Sequence, residues 1–138
     1  MKGAASKLDF EEAANLPDRN QVLLRDLPVE LLEIPSNVDK SAHLAVIRLV
    51  GTTANQYRFL FERLWKSGIG VQLHYNPVHL QPYYRSLDFS EGQYPEAESY
   101  ANTAISLLSF PGLTTNDQQY AVDTLALTLE KVSFGIYT

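Results

Sequence analysis

The segment from His43 to Val50 constrains the fold of this chain more than any other part of its sequence. It reads His-Leu-Ala-Val-Ile-Arg-Leu-Val and ends before a glycine. In an extended chain alternate side chains point to opposite faces, so Leu44 and Val46 would share one face and Ile47 would lie on the other. Both faces are nearly all apolar, which is typical of a strand in the interior of a sheet. The segment therefore predicts a central strand that other elements must cover.

A capped amphipathic helix is predicted directly after this strand. Thr53 and Gln56 have the spacing of a capping box, in which each side chain bonds the other residue's backbone amide. Gly68 stands where the helix should end, because glycine readily adopts the left-handed conformation that closes a helix. Between these two signals, large apolar residues recur at helical spacing: Tyr57, Leu60, Phe61, Leu64 and Trp65.

The remaining pattern predicts further strands and helices around this unit. We expect strands over 29–34 and 71–75, a long connection over 76–95 with a short helix within 80–87, a helix over 96–107, and a final helix from a second capping box at 115–118 to about residue 133. A small sheet with helices on one face accounts for this order. The predicted fold class is therefore α+β.

The composition is that of one globular domain, and it excludes several functions. A chain of 138 residues suffices for one core but not for two full domains, so we divide it into a loose or partly helical arm over 1–27 and one domain over 28–138. No apolar run approaches the roughly 20 residues that cross a bilayer, and the pattern of a signal peptide is absent. The sequence has no cysteine and a net charge of −5 with scattered basic residues, which argues against thiolate chemistry and nucleic-acid binding. We expect a cytoplasmic protein with neither membrane nor nucleic acid as partner.

Histidines and tyrosines concentrate between residues 68 and 85. This segment holds two histidines, three tyrosines and two prolines in 18 residues. His74 and His79 could ligate a metal, but no acidic or cysteine ligand stands near them in the sequence, so we predict no metal site. Tyr83 and Tyr84 could simply pack against the sheet. A proline-stiffened loop that presents imidazoles and phenols also suits a sugar or nucleotide ligand.

Two carboxylates at the start of the predicted helix over 96–107 have a structural interpretation. Glu96 and Glu98 stand two residues apart and so lie on different faces of a helix. We interpret them as charges that favour the helix N-terminus rather than as an acid–base pair. No other hydrolase or transferase pattern is present, and we assign no catalytic residue.

The segment Gly-Ile-Gly-Val-Gln-Leu-His-Tyr-Asn-Pro-Val-His-Leu-Gln-Pro-Tyr-Tyr-Arg, residues 68–85, resembles the C-terminal part of the DegT/DnrJ/StrS family of sugar aminotransferases. The resemblance includes nucleotide-sugar 4-aminotransferases and the enzymes labelled spore coat polysaccharide biosynthesis protein C, and it covers about residues 28–132. It implies the small, mainly antiparallel α+β domain found at the C-terminus of fold-type I aminotransferases. It also implies substrate binding by a set of aromatic residues: His74, Tyr75, His79, Tyr83 and Tyr84.

The resemblance implies pyridoxal phosphate (PLP) as cofactor of the complete enzyme. Enzymes of this family hold PLP as a Schiff base on a lysine of a large N-terminal domain, within a Ser-x-His-x-x-Lys motif. None of the five lysines of this chain stands in that motif: Lys2, Lys7, Lys40, Lys66 and Lys131. We therefore expect this chain to bind no cofactor and to catalyse nothing alone.

The resemblance thus implies a C-terminal domain of an enzyme that makes bacterial surface polysaccharide, with glutamate as amino donor and a keto-sugar nucleotide as acceptor. The expected partners are the nucleotide sugar, the large PLP domain and a second copy in a homodimer. One alternative is a stand-alone, non-catalytic module that binds a nucleotide sugar or dimerises. Another is an unrelated small enzyme that uses His74 and His79 for acid–base chemistry, although the spacing indicates no partner carboxylate for them.

Overall fold

The protein is built around a four-stranded antiparallel sheet with the strand order β1-β2-β4-β3. The computed structural model describes residues 22–31, 44–108, 110, 112–133 and 135. The strands are β1 (Glu30–Leu31), β2 (Leu44–Arg48), β3 (Val71–Leu73) and β4 (Ala104–Leu108). The two long helices, α1 (Ala54–Lys66) and α4 (Thr115–Ser133), bury their apolar sides in the same core as β2 and β4. The α+β class and the antiparallel sheet predicted from the sequence are confirmed.

The two interior strands, β2 and β4, supply the centre of the core. Ile47 of β2 lies opposite Ile105 of β4, and Leu107 of β4 lies opposite Val71 of β3. All four side chains are buried and contact the leucines of the covering helices, such as Leu60. The prediction that the segment around β2 forms a central strand is confirmed, because β2 pairs with β1 on one side and with β4 on the other.

The predicted helix over 96–107 is wrong beyond Thr103. The helix α3 (Pro95–Thr103) ends there, and β4 begins at Ala104, the next residue, without an intervening loop. Ile105 and Leu107 are buried because β4 fills the gap between β2 and β3. A short apolar run is compatible with a helix or with a buried strand, and here the long-range pairing decides.

Helix α1 begins and ends as the sequence predicts. Thr53 and Gln56 form the reciprocal capping box, with distances of 3.3 Å and 2.7 Å between the paired atoms. After the helix, Gly68 has a φ of 77°, and its N–H donates to the carbonyl of Trp65. The N–H of Ile69 donates to the carbonyl of Leu64, which completes a Schellman motif and places both of these side chains in the core.

Helix α4 is capped one residue earlier than the sequence predicts. Thr114, not Thr115, is the capping residue: its Oγ1 accepts from the N–H of Asp117, whose carboxylate in turn accepts from the N–H of Thr114. This register turns Gln118 towards the core, together with Val122 and other apolar residues of the same helix face. Within the described part of the chain, the buried amide of Gln118 has no hydrogen-bond partner, so its burial carries an uncompensated desolvation cost.

The long connection between β3 and α3 contains two short helical segments. These are a 3₁₀ turn at Val78–Leu80 and the helix α2 (Pro82–Arg85), which overlap the predicted short helix within 80–87. The first strand is two residues long in the described part of the chain, and residues 32–34 of the predicted strand lie outside that part.

The division into an arm over 1–27 and a domain over 28–138 stays a prediction, because residues 1–21 lie outside the described part. Residues 22–24 are helical, and Leu24 is buried in the same core as the sheet. None of the helices described here is both long and apolar enough to cross a membrane.

A pair of leucines on α4 tests whether this helix faces the sheet as described. Leu125 is fully buried, whereas Leu127 is 59% exposed on the same helix. We expect Leu125→Ala to lower the free energy of unfolding by about 2–5 kcal/mol, because it leaves a cavity in the core. The control, Leu127→Ala, should change it by no more than about 0.5 kcal/mol. Urea titration followed by circular dichroism measures both, and equal losses would contradict the assigned helix face.

Candidate functional site

An open cleft of about 420 Å³ lies where the chain leaves the end of β3. One part of its lining is the start of the long connection, with Tyr75 and Asn76, and another is α3, with Asn102. Tyr57 of α1 and Arg85 of α2 contribute from two further elements. The cleft thus brings together side chains that are far apart in the sequence.

Tyr75 lies at the lip of this cleft in an unusual backbone conformation. Its φ is 53°, in the left-handed region that bulky residues rarely adopt. Its side chain is 71% exposed, although it packs its ring on that of His74 at 5.0 Å between centroids. A strained backbone that holds a large aromatic ring towards solvent is a feature that clusters at binding sites.

The cleft is lined by amides, two carboxylates and one cation, and its carboxylates are Glu91 and Glu98. Its lining includes the amides of Asn76 and Asn102 beside aromatic and apolar side chains. Only one cation, Arg85, is among the lining residues, and its Nε already donates to the carbonyl of Leu80 at 2.9 Å. Amides that donate and accept, next to aromatic rings, are the groups with which pockets orient polar small molecules.

Tyr57 is fixed at the back of the cleft by a hydrogen bond to the sheet. Its hydroxyl donates to the carbonyl of Ala104 at 2.7 Å. Burial raises the pKa of Tyr57, so the hydroxyl keeps its proton at physiological pH. This residue therefore contributes a fixed aromatic surface to the cleft.

His79 and Glu98 form a nearly buried pair at the edge of the cleft, which Glu98 lines and His79 does not. The His79 Nε2 lies 2.8 Å from the Glu98 Oε1, and the two side chains are only 8% and 15% exposed. Glu98 also accepts from the N–H of Gly92, at 2.9 Å and 3.0 Å, and from the N–H of Tyr94 at 3.4 Å. The hydrogen bond from His79 is the main cause that lowers the pKa of Glu98, and the backbone donors act in the same direction.

This pair corrects the expectation that His79 has no carboxylate partner. The partner comes from α3, 19 residues further along the chain, so no local spacing could indicate it. Glu96 is exposed in the first turn of α3, as expected of a charge at a helix start, whereas Glu98 turns inwards and accepts hydrogen bonds from the connection.

The other predicted site residues lie around the cleft rather than in it. His74 contacts the ring of Tyr100 at 5.7 Å between centroids and is not among the cleft's lining residues. Tyr83 and Tyr84 belong to a ladder of rings with centroid separations between 4.8 Å and 6.3 Å: Tyr83, Tyr84, Phe89, Tyr94 and His79. Of the five predicted residues, only Tyr75 lines the cleft directly.

The sequence reasoning missed most of the lining because the residues come from four elements. Asn76 and Arg85 stand inside the segment 68–85 that carries the family resemblance, so that segment could have indicated them. Tyr57 and Asn102 have no such signal in the sequence. Tyr57 is there only one of the large apolar residues whose helical spacing predicts α1.

Neither of the two described lysines has the surroundings of a Schiff-base lysine. Lys66 has a 73% exposed side chain that lies 3.9 Å from Glu62, and Lys131 is exposed on α4. Neither is the desolvated lysine that a Schiff base requires, and the other three lysines lie outside the described part. In the same part of the chain no group of three histidine or acidic side chains is placed to hold a metal ion.

Comparison with known proteins gives the family. The chain matches the DegT/DnrJ/EryC1/StrS aminotransferase family over residues 12–126. It is 38% identical over 105 residues to a pleiotropic regulatory protein of Geobacillus stearothermophilus, a match that covers 75% of this chain and 28% of that protein. It is 30% identical over 125 residues to a UDP-4-amino-4,6-dideoxy-N-acetyl-beta-L-altrosamine transaminase of Campylobacter jejuni, covering 91% of this chain and 32% of that protein.

A solved structure gives the same result for the fold. A Streptococcus pneumoniae protein assigned as a sugar aminotransferase, in its PMP form, superposes with a TM-score of 0.83 at 25% identity, over 89% of this chain and 31% of that one. Because the family match extends over more than half of the chain, this protein belongs to the DegT/DnrJ/EryC1/StrS aminotransferase family. The chain spans about three tenths of the length of these relatives.

The Glu98 carboxylate predicts a specific dependence of stability on pH. Since its pKa is lowered in the folded state, Glu98 contributes stability that is fully present above its usual pKa of 4.5 and is lost as the pH falls through the lowered value. We expect Glu98→Gln to lower the melting temperature most at neutral pH, with a difference from wild type that shrinks below about pH 4.5. Glu96→Gln, on the same helix, should show no such convergence. Melting curves between about pH 3 and pH 7 test this, and a constant difference for Glu98→Gln would contradict it.

Proposed function

We propose that this chain is the C-terminal small domain of a PLP-dependent nucleotide-sugar aminotransferase of bacterial surface-polysaccharide synthesis. The observation that carries the proposal is the overlap with family members, which extends over most of this chain but only about three tenths of theirs. In the complete enzyme, the large PLP domain would supply the lysine and the cofactor. Glutamate would be the amino donor and a keto-sugar nucleotide the acceptor.

The contribution of this domain is a substrate-side wall formed by the cleft at the end of β3. Tyr75 would contact the sugar or the base directly, because it is the predicted site residue that lines the cleft. His74 and His79 would act from behind Tyr75, since each contacts a residue that lines the cleft: His74 the ring of Tyr75, and His79 the carboxylate of Glu98. Tyr83 and Tyr84 would contribute a weaker, peripheral aromatic surface.

A second candidate function is a non-catalytic binding or dimerisation module. It is favoured by the exposed apolar surface around Trp65, which stacks on Phe61 at the outer side of α1. A homodimer and a location in the cytoplasm are compatible with both candidates. The first candidate predicts that a separately supplied large PLP domain becomes active when this chain is added, and the second predicts that it does not.

Trapping of the cofactor tests the claim that the chain does not catalyse alone. We expect that incubation with PLP followed by borohydride reduction leaves no stoichiometric adduct, because the described lysines are exposed on helix surfaces. Mass spectrometry of the intact chain and its peptides gives the readout. A complete, single-site adduct on one lysine would overturn the proposal, whereas traces spread over all lysines would indicate only non-specific reaction.

Titration with UDP-N-acetylglucosamine tests the cleft as a substrate wall. We expect Tyr75→Ala to weaken binding by about fivefold or more, since removal of a stacking ring costs about 1–3 kcal/mol. Tyr83→Ala is the matched comparison, because its ring is similarly exposed, at 69%, but lies outside the cleft lining, and it should lose less. Chemical shifts of the backbone amides report both binding and its location. Equal losses, or shifts that avoid the amides of Tyr75 and Asn76, would contradict the assignment.

A further inference from the structure

We propose that Glu98 and His79 are positioning residues, which together hold Tyr75 in its left-handed conformation at the lip of the cleft. This role belongs to the cleft of the proposed function, and it depends on that function only for the identity of the ligand. The role concerns how the lip is held, and it can be observed in the chain without any ligand.

Both ends of the long connection are hydrogen-bonded to the Glu98 side chain of α3. His79, near the start of the connection, reaches the Oε1 of Glu98 at 2.8 Å. Gly92 and Tyr94, at its end, donate their backbone N–H groups to the same carboxylate. One side chain therefore provides the acceptor for two backbone N–H groups of this segment and a partner for the His79 ring.

The short path from β3 to His79 contains Tyr75 and leaves it little freedom. On one side Leu73 is paired with Ile105 in the sheet. On the other side Pro77 has a fixed ring, and its carbonyl accepts from the N–H of Leu80, which closes the 3₁₀ turn that carries His79. A left-handed conformation at a bulky residue persists only where the surrounding structure enforces it. With β3 fixed at one end, the His79–Glu98 contact supplies the fixed point at the other.

The chemistry of the contact defines a conservative replacement. An ionised carboxylate only accepts hydrogen bonds, so the Nε2 of His79 must carry the proton. A glutamine at this position carries an N–H donor on a side chain of similar reach, whereas a leucine fills the space without a donor. The pair His79→Gln and His79→Leu therefore separates the hydrogen bond from the packing of the ring on Tyr94.

The test uses the chain labelled with fluorotyrosine and its fluorine NMR spectrum. The chain has eight tyrosines, and each signal reports the surroundings of one ring. Tyr75 is assigned from the spectrum of Tyr75→Phe, and the tyrosines of α1 and α4, Tyr57 and Tyr120, report whether the core stays folded. We expect Glu98→Ala and His79→Leu to shift or broaden the Tyr75 signal while those of Tyr57 and Tyr120 stay in place. His79→Gln should restore the wild-type position of the Tyr75 signal.

Glu96→Ala is the matched control, because it removes a carboxylate from the same first turn of α3 and adds the same helix-forming residue. It should leave the Tyr75 signal unchanged. Hydrogen exchange at the Gly92 amide should become about tenfold faster or more in Glu98→Ala, because the loss of a charge-assisted acceptor frees this donor, and it should be unaffected in Glu96→Ala.

Two outcomes would overturn the proposal. One is a Tyr75 signal unchanged in Glu98→Ala although Gly92 exchanges faster, which would mean that the pair holds the connection without positioning Tyr75. The other is equal disturbance of the Tyr75, Tyr57 and Tyr120 signals in both Glu98→Ala and His79→Leu, which would give the pair a purely global role. Neither result depends on ligand binding, so failure of UDP-N-acetylglucosamine to bind would count against the proposed function alone.

Discussion

The antiparallel pairing of β4 with both β2 and β3 is the interaction on which the rest of the structure depends. β4 is the last strand in the described part of the chain, yet it lies in the interior of the sheet, between strands that precede it by many residues. Its pairing brings the end of β3 next to α1 and places α3 across the connection that leaves β3. Without this closure there would be neither a common core for α1 and α4 nor a cleft lined by both α3 and the connection.

Hydrogen bonds and contacts between aromatic rings together shape the region beside the core. The connection between β3 and α3 has only short helical turns, so many of its backbone groups need partners from side chains. Glu98 accepts from two of these groups, the N–H of Gly92 and the N–H of Tyr94, and the ladder of aromatic rings fills the space between the turns. This combination explains how a segment of irregular backbone can be ordered around a cleft that stays open to solvent.

The elements that the sequence predicted well are those encoded by local signals. The capping box of Thr53 and the glycine after α1 act within a few residues, and the structure confirms both. The strand β4 was missed because its partners are distant and its apolar run also fits the end of a helix. The His79–Glu98 pair was missed for the same reason, since it joins residues on either side of an irregular segment. The family resemblance indicated the segment of Tyr75, but it could not show which of its rings lines a cleft.

The direct passage from α3 into β4 has a mechanical consequence. No loop separates Thr103 from Ala104, and Thr103 is itself tied to the neighbouring strand, because its carbonyl accepts from the N–H of Leu49. The α3 wall of the cleft is therefore continuous with β4, an interior strand of the sheet, so a shift of α3 would also move β4. Since Glu98 of the same helix also holds His79, Gly92 and Tyr94 of the connection, such a shift would reach the connection as well as the core.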